Sequence, residues 1–137
     1  MLKQLSITDL ICAVQKRIED CTGMRCYDFT PYDSPSPLYF VEFTGSEPSN
    51  SKTTYRTAYN ILIHCISDVA DSSVPILKMI QDVEETMTED IELPSDFDLI
   101  MQTYNGVSAL YNETQTNEKH AVMSFRFLVG YGFMTKD

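Results

Sequence analysis

The feature of this sequence that most constrains its fold is a long apolar segment, Lys119–Phe133. Its alternating positions are Ala121, Met123, Phe125, Phe127 and Val129 on one side, with Val122, Arg126 and Leu128 on the other. Apolar side chains on both sides of a segment are typical of a strand that has neighbours at both edges. The segment therefore predicts a central β-strand, and the rest of the chain has to supply a sheet around it.

Two amphipathic helices are predicted to cover that sheet. The first spans about Thr8–Thr22, with Ser6 as N-cap and Gly23 as C-cap. The second spans about Val74–Asp90, with Ser73 as N-cap. Apolar residues recur at helical spacing as Ile7, Leu10, Ile11, Val14, Ile18 and Cys21 in the first helix, and as Ile76, Ile80, Val83, Met87 and Ile91 in the second.

Further segments have the residue pattern of strands. They are Met24–Phe29, Leu38–Thr44, Thr53–Ser67, Phe97–Tyr104 and Val107–Asn112. The Asn105-Gly106 pair is typical of a tight turn and predicts that the last two form a hairpin. We therefore expect one α+β domain over residues 1–137, with a single, mostly antiparallel sheet and two helices packed on one face, in the order α-β-β-β-α-β-β-β.

The first half of the Thr53–Ser67 strand is polar on both faces, which predicts that it projects beyond the domain. A projecting strand has a free edge that can pair with another chain. Two segments rich in loop-forming residues, Thr30–Pro37 and Gly45–Lys52, add exposed surface. The candidate subunit contacts in the strand and the first loop are Tyr32, Asp33, Thr53, Tyr55 and Arg56.

The formal net charge of −10 comes from one part of the chain. Residues 79–118 contain ten acidic residues and no Lys or Arg, whereas the other 97 residues contain ten acids and ten bases. Asp82, Glu85 and Glu89 point away from the apolar stripe of the second helix and form a candidate lumen or partner face. This charge disfavours sequence-specific nucleic-acid binding and attachment to anionic membranes.

No pattern in the sequence indicates catalysis, a cofactor or a metal. The phosphate-binding, zinc-protease and serine-nucleophile motifs are absent. Cys12, Cys21, Cys26 and Cys65 form no CxxC pair, so we expect free thiols and no zinc site. The histidines, His64 and His120, fall in strands or at their start, and we expect His64 to be an ordinary sheet residue. The sequence therefore predicts a protein that works by binding other chains.

The order of elements is similar to that of a known family. A helix ending at Thr22-Gly23 precedes a strand that runs into Tyr27-Asp28 and a proline-containing loop. Strands reading Pro37-Leu38-Tyr39-Phe40-Val41, Ile61-Leu62-Ile63-His64 and His120-Ala121-Val122-Met123-Ser124-Phe125 follow. This pattern resembles the tail terminator (tail-completion, or neck) proteins of tailed bacteriophages, prophages and contractile bacteriocins.

The resemblance implies a structural virion protein of the tail and neck that assembles in the host cytoplasm. Such proteins are not enzymes and need no cofactor. They form a hexameric ring that caps the tail tube and joins it to the head-side connector, so the implied partners are further copies of the chain, the tail tube protein and the connector protein. The acidic stretch leaves an alternative open, an inhibitor that mimics DNA and binds a nuclease or DNA-binding protein. We rank it second because the other 97 residues are electrically neutral.

Overall fold

The computed structural model describes residues 1–29, 36–68, 72–113 and 115–134, and within them the chain forms two helices and five strands. In chain order these are α1 (Ile7–Thr22), β1 (Cys26–Tyr27), β2 (Leu38–Pro48), β3 (Thr54–Ile66), α2 (Val74–Thr86), β4 (Asp98–Asn112) and β5 (Lys119–Phe133). The strands form one sheet in the order β1-β2-β3-β5-β4. Only the β1–β2 pair is parallel. The predicted α+β class with a mostly antiparallel sheet is confirmed.

Strand β5 occupies the position that its apolar pattern predicts, between β3 and β4. Phe125, for example, pairs with Ile61 of β3 on one side and with Tyr104 of β4 on the other. The bounds of β5 are the predicted ones. The strand is buried over most of its length because both neighbours and the helices exclude water from it.

The core lies between the sheet and the two helices, which cover the same face. Its largest fully buried side chains are Leu10, Val14 and Ile18 of α1, Ile76 and Val83 of α2, and Tyr39, Val41, Ile61, Ile63, Met123, Phe125 and Phe127 of the sheet. Each large apolar side chain buried in this way contributes roughly 1.5–3 kcal/mol. The predicted stripe of α2 is buried throughout, whereas Ile7 and Cys21, at the two ends of the α1 stripe, are exposed.

The ends of the helices follow the predicted caps in position. Gly23 adopts a left-handed conformation with φ of 72°, and its backbone N–H donates to the carbonyl oxygen of Glu19. Ser6 and Ser73 stand at the two N-cap positions, but neither side chain forms a capping hydrogen bond. Helix α2 ends at Thr86, earlier than predicted.

A side chain of β4 holds the segment that follows α2. Gln102 Nε2 donates to the carbonyl oxygens of Met87 and Glu89 at 2.9 and 3.0 Å. Its Oε1 accepts from the backbone N–H of Ile91 at 3.1 Å. These bonds satisfy backbone groups outside the helix, because one amide supplies both donors and the acceptor. The helix can therefore end before the predicted Asp90.

The predicted hairpin at Asn105-Gly106 is wrong, because β4 runs without a turn from Asp98 to Asn112. Tyr104 pairs with Phe125 and Gly106 pairs with Ser124, so the extra residue between them forms an irregularity in the strand. Gly106 has φ of 98° at this point. A positive φ serves a β-bulge as well as a tight turn, and continuous pairing with β5 selects the bulge.

The predicted free edge in the polar half of β3 is also wrong. Thr57 of this half pairs with Pro48 of β2 on one side and with Val129 of β5 on the other. Strand β2 continues to Pro48, so the first part of the predicted Gly45–Lys52 loop is strand. From Thr57 onward β3 is an interior strand of the sheet, and Thr54–Arg56 pair with β5 and accept backbone hydrogen bonds from Ser49 and Ser51 on their other side.

Candidate interaction surfaces

The acidic candidate face lies on the helix layer of the molecule. Asp82 Oδ1 lies 3.6 Å from Lys78 Nζ, within α2. Glu85 accepts a hydrogen bond of 3.0 Å from Gln81. Glu89, just beyond the helix, accepts one of 2.7 Å from Arg17 of α1.

These three acids lie on the same layer, as the sequence pattern indicates, and each also has a partner within the chain. Glu85 and Glu89 are exposed and Asp82 is half-buried. Solvent screens the two ion pairs, Asp82 with Lys78 and Glu89 with Arg17, so each contributes roughly 0–1 kcal/mol to stability. The assignment of these acids to a lumen or a partner remains a prediction.

The candidate contacts at the start of β3 differ in their exposure and in the contacts they make within the chain. Thr53 is exposed. The rings of Tyr55 and Tyr131 stack with centroids 5.8 Å apart. Arg56 is half-buried and its Nε donates to the carbonyl oxygen of Ser49 at 2.7 Å. The two candidates from the proline-rich loop, Tyr32 and Asp33, lie outside the described residues.

A chain of hydrogen-bonded side chains crosses the sheet face that the helices do not cover, called the open face below. His64 Nδ1 lies 2.9 Å from His120 Nε2, and His64 Nε2 lies 2.8 Å from Glu42 Oε1. The ring of Phe40 stacks on the ring of His64 with centroids 4.0 Å apart and an interplanar angle of 7°. Three adjacent strands, β2, β3 and β5, supply these residues.

The same chain of hydrogen bonds continues to the edge of the sheet. His120 Nδ1 lies 3.1 Å from Tyr111 Oη and 3.3 Å from Glu113 Oε1. Burial lowers the pKa of His120, the hydrogen bond to Glu113 opposes that shift, and the charge of His64 lowers the pKa further. Burial and the neighbouring imidazole thus favour the neutral form of His120 in the folded protein.

Sequence patterns did not predict that the histidines meet. Ile66 of β3 pairs with His120 of β5, which places His64 diagonally across from His120 on the open face. Residues on diagonal positions of neighbouring strands can touch when their side chains are long or aromatic. The sequence places both histidines in predicted strands, which allows a contact between them, but only the register of β3 and β5 shows that the contact exists.

The outer edge of the sheet is formed by β4, which among the described strands pairs with β5 alone. Its large exposed apolar side chains are Ile100, Met101, Tyr104, Val107, Leu110 and Tyr111. Asp98 is its only charged residue, and the strand contains no Lys, Arg or Pro. Lysine, proline and inward-pointing charges commonly protect edge strands from pairing with other chains. Three register irregularities interrupt β4, but charged or proline protection is missing.

The cysteines are free thiols, two exposed (Cys12 and Cys21) and two buried. Burial raises the pKa of Cys26 to about 12, and it also raises the pKa of Cys65. Among the described residues, no group of three or more His, Cys, Asp or Glu side chains is placed to hold a metal ion. Neither helix in the described part of the chain is long and apolar enough to cross a membrane.

An exposed apolar sheet edge and a separate acidic surface are features of a protein that works by association with other chains. The family model of phage tail terminator 4, described as a tail termination protein, matches residues 1–136. The chain therefore belongs to this family of phage tail termination proteins, which confirms the resemblance seen in the sequence. It is a phage structural protein and a component of the virion.

Solved structures contain the same fold. A chain in the virion of a native gene transfer agent (GTA) particle superposes with a TM-score of 0.67 and 16% sequence identity. The match covers 90% of this chain and 96% of that chain. At this identity the likeness shows the fold alone. No curated protein matches the chain in sequence.

Proposed function

We propose that this chain is the subunit of a hexameric ring that caps the phage tail tube and joins the tube to the head-side connector. The observation that carries the proposal is the family match, which extends over residues 1–136 and so includes every described element. The ring acts by binding alone: it occupies the growing end of the tube and presents a second surface to the connector.

A closed ring requires a contact in which two different surfaces of the same chain meet. Each subunit also needs a surface for the tube and another for the connector. The described residues supply separate surfaces of different chemistry: an apolar edge at β4, the open face with its histidine pair, and an acidic layer at α2. This separation supports a subunit that has several partners at once.

The acidic layer has a specific use in such a ring. DNA passes through a tail during delivery, and a negative lumen wall repels its phosphates and keeps it from binding. Asp82, Glu85 and Glu89, with the rest of the acids in residues 79–118, would supply that charge. We include their orientation toward the lumen in the proposal.

The proposal is tested by adding the purified chain to the tail tube protein of the same phage while the tube polymerises. Electron micrographs are expected to show shorter tubes with a ring at one end, and native mass spectrometry is expected to show six copies per ring. A heat-unfolded sample of the chain serves as the control. Tubes of unchanged length without extra density at either end would overturn the proposal.

The acidic surface of α2 also distinguishes the ring function from the alternative, an acidic inhibitor that mimics DNA. Replacing Asp82, Glu85 and Glu89 together with lysine would abolish inhibition of a nuclease or DNA-binding protein, whereas capping of tubes would persist. The family match favours the assembly role.

A further inference from the structure

We propose that β4 is the strand by which one copy of this chain joins the next, by pairing with the outer edge of β2 at Glu42–Glu47 in the neighbouring copy. The inference rests on the proposed ring, since it names the contact between ring subunits. It concerns a surface different from Tyr32, Asp33, Thr53, Tyr55 and Arg56, the contacts that the sequence suggested.

The first argument is the size of the apolar surface along β4. The strand has 15 residues, and at about 3.4 Å per residue it is about 50 Å long. Met101 and Leu110 are 55% and 52% exposed, and four more large apolar side chains on the strand are exposed beside them. A stable protein interface buries roughly 800 Å² on each partner, and an edge of this length with its flanking side chains supplies much of that area.

The second argument is that the backbone of β4 is open to pairing. Between the register irregularities, Met101–Tyr104 and Ala109–Asn112 keep regular pairing with β5. These segments therefore have the extended geometry that a further strand needs on their other side. Neither contains a proline or a charged residue that would prevent pairing.

The third argument is ring closure, and it selects a head-to-tail contact over a two-fold one. A β4–β4 contact uses the same surface on both copies and closes as a dimer, whereas a ring of more than two copies needs two different surfaces of the chain. The acids of the proposed β2 edge, Glu42 and Glu47, lie 2.8 Å from His64 and 3.7 Å from Arg126 of their own chain. Strand β4 carries a single charge, Asp98, so the contact brings few unpaired charges together.

The fourth argument is the geometry of the partner edge. Strand β1 pairs only with Tyr39 and Phe40, so within the described residues Glu42–Glu47 has no strand on its outer side. Neighbouring strands from β2 through β3 and β5 to β4 alternate in direction. In a second copy of the same orientation, β2 thus runs antiparallel to β4 of the first. The contact continues the pattern of the sheet, and its repetition closes a ring where the rotation allows it.

The first test replaces exposed apolar residues of β4 with lysine. Leu110→Lys and Met101→Lys are compared with Leu77→Lys on α2, which starts from a leucine of nearly the same exposure, 51%. Light scattering and native mass spectrometry measure assembly alone and with the tail tube protein. Both β4 variants are expected to raise the concentration for half-assembly about tenfold or more, while Leu77→Lys assembles like the wild type. Unchanged assembly of both β4 variants would overturn the inference.

The second test identifies the edge that β4 meets. In a chain with Cys12→Ser and Cys21→Ser, one sample carries Ser108→Cys on β4 and another carries Ser46→Cys on β2. A short thiol cross-linker is expected to join the two chains only in the mixture. Cross-links within the Ser108→Cys sample alone would show a β4–β4 contact. When tail tube protein is added to the mixture, cross-links to that protein only would show another partner. Either result would overturn the inference.

Failure of the inference and failure of the proposed function give different results. Rings of Leu110→Lys and Met101→Lys that cap tubes normally would exclude β4 as the contact and leave the ring function intact. Wild-type chain that neither assembles nor caps tubes would overturn both. Circular dichroism of each variant shows whether the fold is retained, and lysine at an exposed edge position is expected to preserve it.

Discussion

The Nδ1 atom of His64 lies 2.9 Å from the Nε2 atom of His120, although the two residues are 56 positions apart in the sequence. A proton on each Nε2 lets His64 donate to Glu42 and His120 donate to His64. His120 Nδ1 then accepts from Tyr111 Oη. This arrangement gives each ring nitrogen one partner of the right kind, and the hydrogen bond from His120 Nδ1 to Glu113 Oε1, at 3.3 Å, needs a further proton on Nδ1.

This pair predicts that stability depends on pH through His120. Burial lowers the pKa of His120 below 6.5, so the unfolded chain binds the proton more readily than the folded protein does. The contribution of neutral His120 is complete above about pH 6.5 and is lost as the pH falls from there through the lowered folded pKa. Urea unfolding at about pH 7.5 and about pH 5.5 should show a smaller fall in stability for His120→Gln than for the wild type.

The comparison with His120→Gln isolates the contribution of this ring from that of the charges around it. His64, Glu113 and Glu118 all act on the pKa of His120, and both glutamates raise it. Carboxylates elsewhere contribute equally to both proteins, so they cancel in the difference. Equal losses of stability in the two proteins would contradict the prediction.

A second prediction compares two buried tyrosines, one whose hydroxyl group has no hydrogen-bond partner and one whose hydroxyl group has a partner. Tyr39 Oη is buried and has no hydrogen-bond partner among the described residues, whereas Tyr59 Oη donates to the carbonyl oxygen of Leu5 at 3.3 Å. Tyr39→Phe removes an unpaired polar group and is expected to raise the free energy of unfolding by about 1 kcal/mol. Tyr59→Phe leaves the Leu5 carbonyl unpaired and is expected to lower it by about 1 kcal/mol. Denaturant titration of both variants measures the sign, and the opposite order would contradict the prediction.

A third prediction compares two phenylalanines of β5. Phe125 is 1% exposed in the core and Phe133, at the end of the strand, is 75% exposed. Phe125→Ala removes core contacts and leaves a cavity, so it is expected to lower the free energy of unfolding by about 3–5 kcal/mol. Phe133→Ala is expected to change it by less than about 0.5 kcal/mol. Comparable effects of the two changes on urea unfolding would show that the sheet is packed differently.

Features with a local cause were predictable from the sequence. Helix α1, its Gly23 cap and the bounds of β5 follow from periodicity and from single-residue preferences, and all three are confirmed. The outward position of Glu85 on α2 follows from the same periodicity. The order of these elements was also enough to indicate the family.

Features that depend on which strands pair were not predictable in the same way. The polar half of β3 looked like a free edge, but β2 extends far enough to pair with it, and Arg56 bonds to the Ser49 carbonyl there. The contact between His64 and His120 exists only in the observed register of β3 and β5. Single-strand patterns carry no information about register between distant segments, because one shift by a residue reverses every side chain.

The last prediction concerns Gly106. The Asn105-Gly106 pair correctly indicates a residue with positive φ, but the structure uses it in a bulge of β4 and not in a hairpin turn. Gly106 and Gly45 both lie at register irregularities, in β4 and β2, and a Cβ atom added at either meets nothing within 4 Å. Only Gly106 has a positive φ, 98°. Gly106→Ala is thus expected to lower the free energy of unfolding by about 1–2 kcal/mol through backbone strain.

Gly45→Ala is the matched control, since it adds the same methyl group in equally open space. It restricts the unfolded chain without strain in the folded state, so we expect it to raise stability by about 0.4–1 kcal/mol or leave it unchanged. Urea unfolding of both variants provides the measurement. If Gly106→Ala proved as stable as Gly45→Ala, the left-handed bulge in β4 would be wrong, and the hairpin that Asn105-Gly106 suggests would have to be reconsidered.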